Sequence, residues 1–259
     1  MQKLFWNRAK ALAVDDPIHK PDEARSADDI AECDRDQIVD DPCYRDGGGV
    51  EPGGDLADLD QARAVIAAAD RAFGRIDILV NAAGITDRGT ISDTTPDLFE
   101  RMMAVNLRAP FFLIQGTAAV MRREQIEGTM VNILSMSAHG GQPFLSPYSI
   151  SKGALATLTK NAAFSLMPWR IRVNGLNLGW MDTPGEDRVM RLHHGAQDGW
   201  RERAAAEQPF GRLIEPAEAA RAVAFLASAE SGMMTGAIID YDQSVLGCWE
   251  QAPHPSRTA

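Results

Sequence analysis

Tyr148 and Lys152 stand four residues apart, the spacing that brings two side chains onto one face of a helix. A tyrosine is a poor base at neutral pH, with a reference pKa of about 10. An ammonium about 4 Å away is worth up to about 4 kcal/mol at an effective dielectric of 20, nearly three pKa units before desolvation is subtracted. Lys152 is therefore expected to pull the Tyr148 pKa down and poise it as a general acid/base acting on an oxygen. Upstream lies Ser135, with Ser137 as a rival hydroxyl; the spacing to Tyr148 favours Ser135. Asn106, in the interior of a predicted helix, has an amide that serves either a site or buried backbone groups. His139, His193 and His194 have no third ligand at metal spacing, so they read as solvent or lid residues and no metal is expected.

The elements that must position these groups follow from periodicity. Ala62, Val65, Ile66, Ala69 and Phe73 recur at helical spacing after the Asp58/Asp60 cap region, and Gly74 ends the run. Ile76–Val80 is a short apolar run between turn residues, read as a buried strand. Thr94, Thr95 and Pro96 open a long helix to about Arg123, bent or interrupted near Pro110. Strands are predicted at Thr129–Leu134, Ile171–Leu176 and Ala237–Tyr241, with helices at Pro147–Leu166 and Pro216–Ala227. Buried strands alternating with helices indicate a parallel sheet covered on both faces, whose ligands bind beyond the carboxyl ends of the strands. Those ends carry Asn81-Ala82-Ala83-Gly84, Ser135 and Asn177-Leu178-Gly179, three turns that converge on one rim.

Tyr148-Ser149-Ile150-Ser151-Lys152, preceded by Ser135 and by Asn81-Ala82-Ala83-Gly84, resembles the short-chain dehydrogenase/reductase family. YxxxK alone is a weak signal; its conjunction with the serine and the NAAG turn, in order and at family-like spacing, is specific. Asn106 in Met103-Ala104-Val105-Asn106-Leu107 matches further. So do Asp55-Leu56 at the strand end before the first helix, and Gly179 to Thr183 in place of the family's PG turn. The resemblance covers roughly residues 54–247 and implies a single Rossmann-like, doubly wound α/β domain. It also implies an NAD- or NADP-dependent enzyme interconverting a secondary alcohol and a ketone. In that reading Tyr148 moves the proton, Ser135 hydrogen-bonds the same oxygen, Lys152 also holds the nicotinamide ribose and Asn106 supports a water chain. Cofactor contacts would come from Asp55, Leu56, Asn81, Ala82, Ala83, Gly84, Tyr148, Lys152, Gly179, Trp180, Met181 and Thr183. The stretches Pro209–Leu213 and Ala237–Gly247 resemble the family's subunit-contact region, so a homodimer or homotetramer is expected.

The sequence departs from that pattern at its start. Lys10–Val14 could be a first strand, but Asp15-Asp16-Pro17 follows where glycines should receive phosphates, and Gly47-Gly48-Gly49 comes too late. The first βαβ unit is therefore read as degraded or irregular, through a reading-frame disturbance over residues 15–53 or extreme divergence. NAD cannot be told from NADP. The expected division is an atypical segment 1–53, a catalytic core 54–247 and a tail 248–259. A silent relative that acts as a binding or assembly protein is the alternative, separated by cofactor binding. The segment Thr183–Ala206 stands where the family has a substrate lid, and its His193, His194, Asp198 and Arg201 suit a polyol, sugar or hydroxy acid.

Composition bounds the remaining possibilities. At 259 residues with 45% hydrophobic and 24% charged, one core is expected and wholesale disorder is not. A net charge of −10 disfavours nucleic acid and anionic lipid. Three scattered cysteines, Cys33, Cys43 and Cys248, form no CxxC pair. With no apolar run of membrane-spanning length and no leader pattern in Met1–Val14, a soluble cytoplasmic protein is expected.

Overall fold

The computed structural model of the protein describes residues 54–248. Lys10–Val14, the triglycine at 47–49 and the reading of residues 15–53 lie outside these. Within them, the first helix, α1 (Leu59–Phe73), starts where Asp58 accepts hydrogen bonds from the Asp60 and Gln61 amides at 2.8 and 3.2 Å. It ends at Gly74, whose φ of 66° is the left-handed conformation that a side chain resists. Asp55 and Leu56, expected at a strand end, instead lie in the turn that enters α1. The Asp55 amide donates to Gln61 Oε1 at 2.8 Å, and its carboxylate accepts from Ala57 N at 2.9 Å.

Four strands, β1 (Ile78–Asn81), β2 (Thr129–Ser135), β3 (Arg172–Leu178) and β4 (Ile238–Tyr241), pair in that order and all in parallel. Because side chains alternate along a strand, each strand feeds two cores. Leu79, Met130 and Val173 face α1 and two later helices, α3 (Ala109–Arg123) and α4 (Ser146–Leu166). Ile78, Val80, Val131 and Leu176 face the helix Pro216–Ala227 on the other side. Helices thus cover both faces, the doubly wound α/β arrangement. Leu79, Met130 and Leu176 are at most 1% exposed, and each such burial stabilises by roughly 1.5–3 kcal/mol.

The long predicted helix is three pieces: α2 (Pro96–Met103), a π-helical turn at Ala104–Arg108, and α3. The interruption precedes Pro110 because a proline ring clashes with the carbonyl four residues earlier, here that of Asn106, and offers it no N–H. Strand β4 is drawn against β3 by Asn174, which is fully buried. Its Nδ2 donates to Met234 O at 2.8 Å, and its Oδ1 accepts from Ala237 N at 3.1 Å. The neighbouring Gly175 amide donates to Ala237 O at 2.8 Å. The expected lid forms two helices, α5 (Pro184–His194) and α6 (Trp200–Ala206), ahead of α7 (Pro216–Ala227). None of the described helices is long and apolar enough to cross a membrane.

Candidate active site

Asn81 and Ser135 are the last residues of β1 and β2, and Asn177 and Leu178 end β3, so these residues belong to the strands and not to the turns beyond them. Ser135 caps the 3-10 turn Met136–His139, accepting from Ser137 N at 3.2 Å. Of the two candidate serines, Ser135 is the one whose side chain acts on the Tyr148 hydroxyl, favouring its ionised form. Ser137 contributes through its backbone.

Tyr148 and Lys152 share the first turns of α4 as expected, but their electrostatics differ from expectation. Lys152 is 4% exposed, donates from Nζ to Ile133 O at 2.8 Å, and lies 5.8 Å from the Tyr148 ring centroid. Burial pushes the lysine down to about 8 and pushes the tyrosine above its ordinary 10.0, with the Ser135 hydrogen bond opposing the latter shift. Desolvation wins over the proximity argument, so Tyr148 is protonated at neutral pH and stands ready as a proton donor.

Asn106 is fully buried in the π turn, and its side chain does several things at once. Oδ1 accepts from Ile85 N at 2.9 Å, while Nδ2 donates to Ile85 O at 2.9 Å and to Ser151 Oγ at 3.0 Å. It therefore grips the turn after β1 as a strand would, and ties that turn to α4. The π turn is what rotates this residue inward. A second tie was not foreseen: Asn81 Nδ2 donates to Asn132 Oδ1 at 2.8 Å, and Asn132 Nδ2 donates to Thr159 Oγ1 at 2.8 Å, running from β1 through β2 into α4. Its signal was the pair of asparagines in otherwise apolar strands.

The remaining expected contacts are distributed around the rim. Leu56 packs with Ala62, Ala109 and Ala83, holding the Asn81–Gly84 turn, while Asp55 pairs with Arg101 at 3.6 Å on the surface. Gly84 is a place of close approach: a Cβ there would lie 3.5 Å from Lys152 Nζ and 3.4 Å from Asn106 Oδ1. A Cβ at Gly179 would collide with the Asp242 carboxylate. Trp180 donates from Nε1 to Glu186 Oε1 at 2.9 Å and stacks on Trp200, while Met181 bridges to Ile214. Thr183 accepts from Glu186 N at 3.0 Å and so caps α5.

Several residues read as lid or solvent groups have other partners. Asp198 pairs within the lid with Arg191 at 3.0 Å, and Arg201 pairs with Asp182, just before the lid, at 2.6 Å. His139 lies 3.0 Å from Asp240 Oδ1 and 3.0 Å from Asn177 Nδ2, linking the turn after β2 to β3 and β4. Burial works to raise the Asp240 carboxyl, but the bonds from His139 and Asn177 outweigh it and leave the pKa lowered. Arg88 and His194 meet at 3.0 Å, a contact that sequence reading missed because the partners are far apart in the chain.

This geometry has close parallels. The family model described as enoyl-(acyl carrier protein) reductase matches residues 46–244. A galactitol 2-dehydrogenase of Agrobacterium fabrum is 35% identical over 183 residues, 68% of this chain and 71% of that protein. Among solved structures, a gluconate 5-dehydrogenase from Burkholderia cenocepacia in complex with NADP and tartrate superimposes with a TM-score of 0.65. That match has 32% identity and covers 73% of this chain and 72% of that one. An NAD+-bound xylitol dehydrogenase gives a TM-score of 0.66 at 27% identity, over 73% of this chain and 76% of that one. The chain belongs to the short-chain dehydrogenase/reductase family. It is an enzyme, an oxidoreductase that uses NAD or NADP.

The described residues suit the nicotinamide end of such a cofactor. Asn81 Oδ1 is buried without a hydrogen-bond partner among the described residues. Lys152 Nζ makes one hydrogen bond among them, which leaves two N–H groups for a ligand. The close approach at Gly84 lies beside Lys152 Nζ.

Proposed function

We propose that this site interconverts a secondary alcohol and a ketone on a small polyhydroxylated substrate, with Tyr148 as the proton-transferring residue. The observation that carries the reading is the convergence of Ser135 on the Tyr148 hydroxyl, one helical turn from the buried Lys152. When bound, the nicotinamide supplies the hydride chemistry. The substrate oxygen sits between the Tyr148 and Ser135 hydroxyls. In the reducing direction Tyr148 gives its proton to that oxygen, and Ser135 donates to the oxygen as negative charge builds on it. Lys152 stabilises the resulting phenolate and holds the ribose. Asn106 acts through position: its side chain holds the Ile85 turn and Ser151, and its carbonyl, which can receive nothing from Pro110, supports the water that returns a proton.

The cofactor contacts are assigned to Asp55, Leu56, the turn Asn81-Ala82-Ala83-Gly84, Tyr148, Lys152, Gly179, Trp180, Met181 and Thr183. The sugar-alcohol dehydrogenases among the relatives support a polyol, sugar or sugar-acid substrate. The intact Ser135, Tyr148 and Lys152 arrangement speaks against the silent-relative alternative.

The test is NAD(P)-linked turnover of a panel of polyols, sugar acids and ketoses, followed by reduced-nicotinamide absorbance, for the unaltered protein and Tyr148→Phe. Removing the transferable proton lowers kcat by about 100-fold or more while the melting temperature holds. Turnover by Tyr148→Phe equal to that of the unaltered protein would remove Tyr148 from the mechanism.

A further inference from the structure

The rim carries a charged group that proton transfer does not use. Arg88 lies four residues beyond Gly84, in the segment leaving β1, and is partly buried. Its side chain is held on three sides. Nη1 donates to the Thr86 carbonyl and hydroxyl at 2.8 Å each, Nε donates to His194 Nε2 at 3.0 Å, and the guanidinium lies 5.4 Å from the Phe144 ring centroid. Phe144 and His194 in turn pack edge to face at 5.0 Å, so α5 closes over the arginine.

None of these partners carries a negative charge. Arg88 has no ion pair within 4 Å among the described residues, and its Nη2 has no hydrogen bond among them. The carboxylates of Glu186 and Asp87 act on it only from beyond ion-pair distance. A guanidinium so immobilised, desolvated in part and open on one edge is built to receive a planar anion, since its fork matches carboxylate oxygens. Its position beside the reacting groups is set by backbone. The amide of the next residue, Gly89, donates to Phe144 O at 2.9 Å, and the Gly89 carbonyl accepts from Ser146 N at 3.1 Å, where α4 begins. Tyr148 follows within that first turn, and the Arg88 charge reaches its hydroxyl.

We propose that Arg88 binds a carboxylate of the substrate, which makes the substrate a hydroxy acid or its keto acid, with the reacting carbon at Tyr148 and Ser135. The proposal rests on the oxidoreductase reading of the same site. Thr86 and Phe144 keep the fork rigid, so little side-chain entropy is lost when the acid binds. His194 adds the lid to the same contact.

The test compares matched acids and alditols, gluconate against glucitol and galactonate against galactitol. Binding to Tyr148→Phe saturated with NAD or NADP is measured by calorimetry, and steady-state turnover is measured on the unaltered protein. In at least one pair the acid binds about tenfold or more tighter than its alditol. Arg88→Met lowers the acid-to-alditol ratio, in binding and in kcat/KM, by about tenfold or more, and Arg88→Lys keeps part of it. The Lys variant and melting curves of both separate lost recognition from lost folding.

Alditols binding as well as acids in both pairs, or an acid-to-alditol ratio unmoved in both folded variants, overturns the proposal. Arg88-dependent binding of acids without turnover of any panel member leaves the carboxylate site standing and removes the proposed alcohol–ketone interconversion on polyhydroxylated substrates. Turnover of alditols without preference for acids does the reverse.

Discussion

Lys152 sits at 4% exposure with a backbone carbonyl as its hydrogen-bond partner and no carboxylate beside it among the described residues, so its charge costs folding free energy. The native group releases its proton near 8 and the unfolded one near 10.5, a gap worth about 3 kcal/mol at about 1.4 kcal/mol per pH unit. Below 8 both states are protonated and the penalty is present in full; between 8 and 10.5 stability rises with pH; above 10.5 the penalty is gone. Lys152→Met removes the charge but strands the Ile133 carbonyl, at a cost of about 1–3 kcal/mol. Near pH 7 this variant should be inactive yet melt about 2–4 °C higher, a net gain of about 1 kcal/mol, and the gain should vanish by pH 10.5. Melting curves at the two pH values check it. The pairing of Tyr148 with Lys152 was legible because helix periodicity is local. The direction of their pKa values was not, because desolvation depends on what Ile133, Gly84 and the sheet place around them.

The lid illustrates an element that sequence patterning describes poorly. Its two short helices hold together through contacts between segments: Trp180 stacked on Trp200, Trp200 Nε1 donating to Asp187 at 2.6 Å, and Arg191 joined to both Asp187 and Asp198. Polar composition alone made its charges look like substrate contacts, whereas most of them satisfy one another. The π turn was read as an interruption at Pro110 and lies just before it, since proline acts on the carbonyl four residues earlier. His194, at the end of α5, accepts a hydrogen bond from Arg88 only as the neutral imidazole. It titrates below its ordinary 6.5, held down by burial first and by the Arg88 charge second. Above 6.5 the contact is fully available; as pH falls through the lowered pKa the imidazolium repels Arg88 and the lid loosens. Substrate KM should therefore rise on acidification from pH 7 to 5. His194→Gln, which keeps an acceptor, should flatten that rise; a rise of the same size in both proteins would free His194 from the role.

At the scale of the molecule, the alternation of buried strands with amphipathic helices was enough to read a parallel α/β sheet, because each strand needs cover on both faces. The site was legible to the extent that it follows the strand ends. The cross-strand asparagine ties and the Arg88–His194 contact join residues far apart in sequence, and no local pattern announces them. The family match begins at residue 46, so the region that would hold the glycine-rich loop lies outside it. Cofactor preference is therefore a property to be measured on the full chain. Titrating NADH and NADPH separately against thermal unfolding reads it directly. A ligand at one hundred times its Kd stabilises by about 2.7 kcal/mol, a shift of roughly 5–10 °C for a chain of this size. A shift with one cofactor and not the other assigns it; equal shifts would mean that the protein does not discriminate.

The bonds that draw β4 against β3 also govern how this protein ages. Asn174-Gly175 is the single Asn-Gly pair in the chain, the dipeptide most prone to deamidate through attack of the glycine amide on the asparagine side chain. In the folded protein both reactants are occupied, the Gly175 amide with Ala237 O and the Asn174 side chain with Met234 and Ala237. Each unfolding event releases them together. A chain that deamidates while open would return with a carboxylate where Asn174 donates to Met234 O, and that position has no exposure to water. Unfolding in this protein therefore carries a chemical clock, set by one buried dipeptide in the strand that ends at the active-site rim.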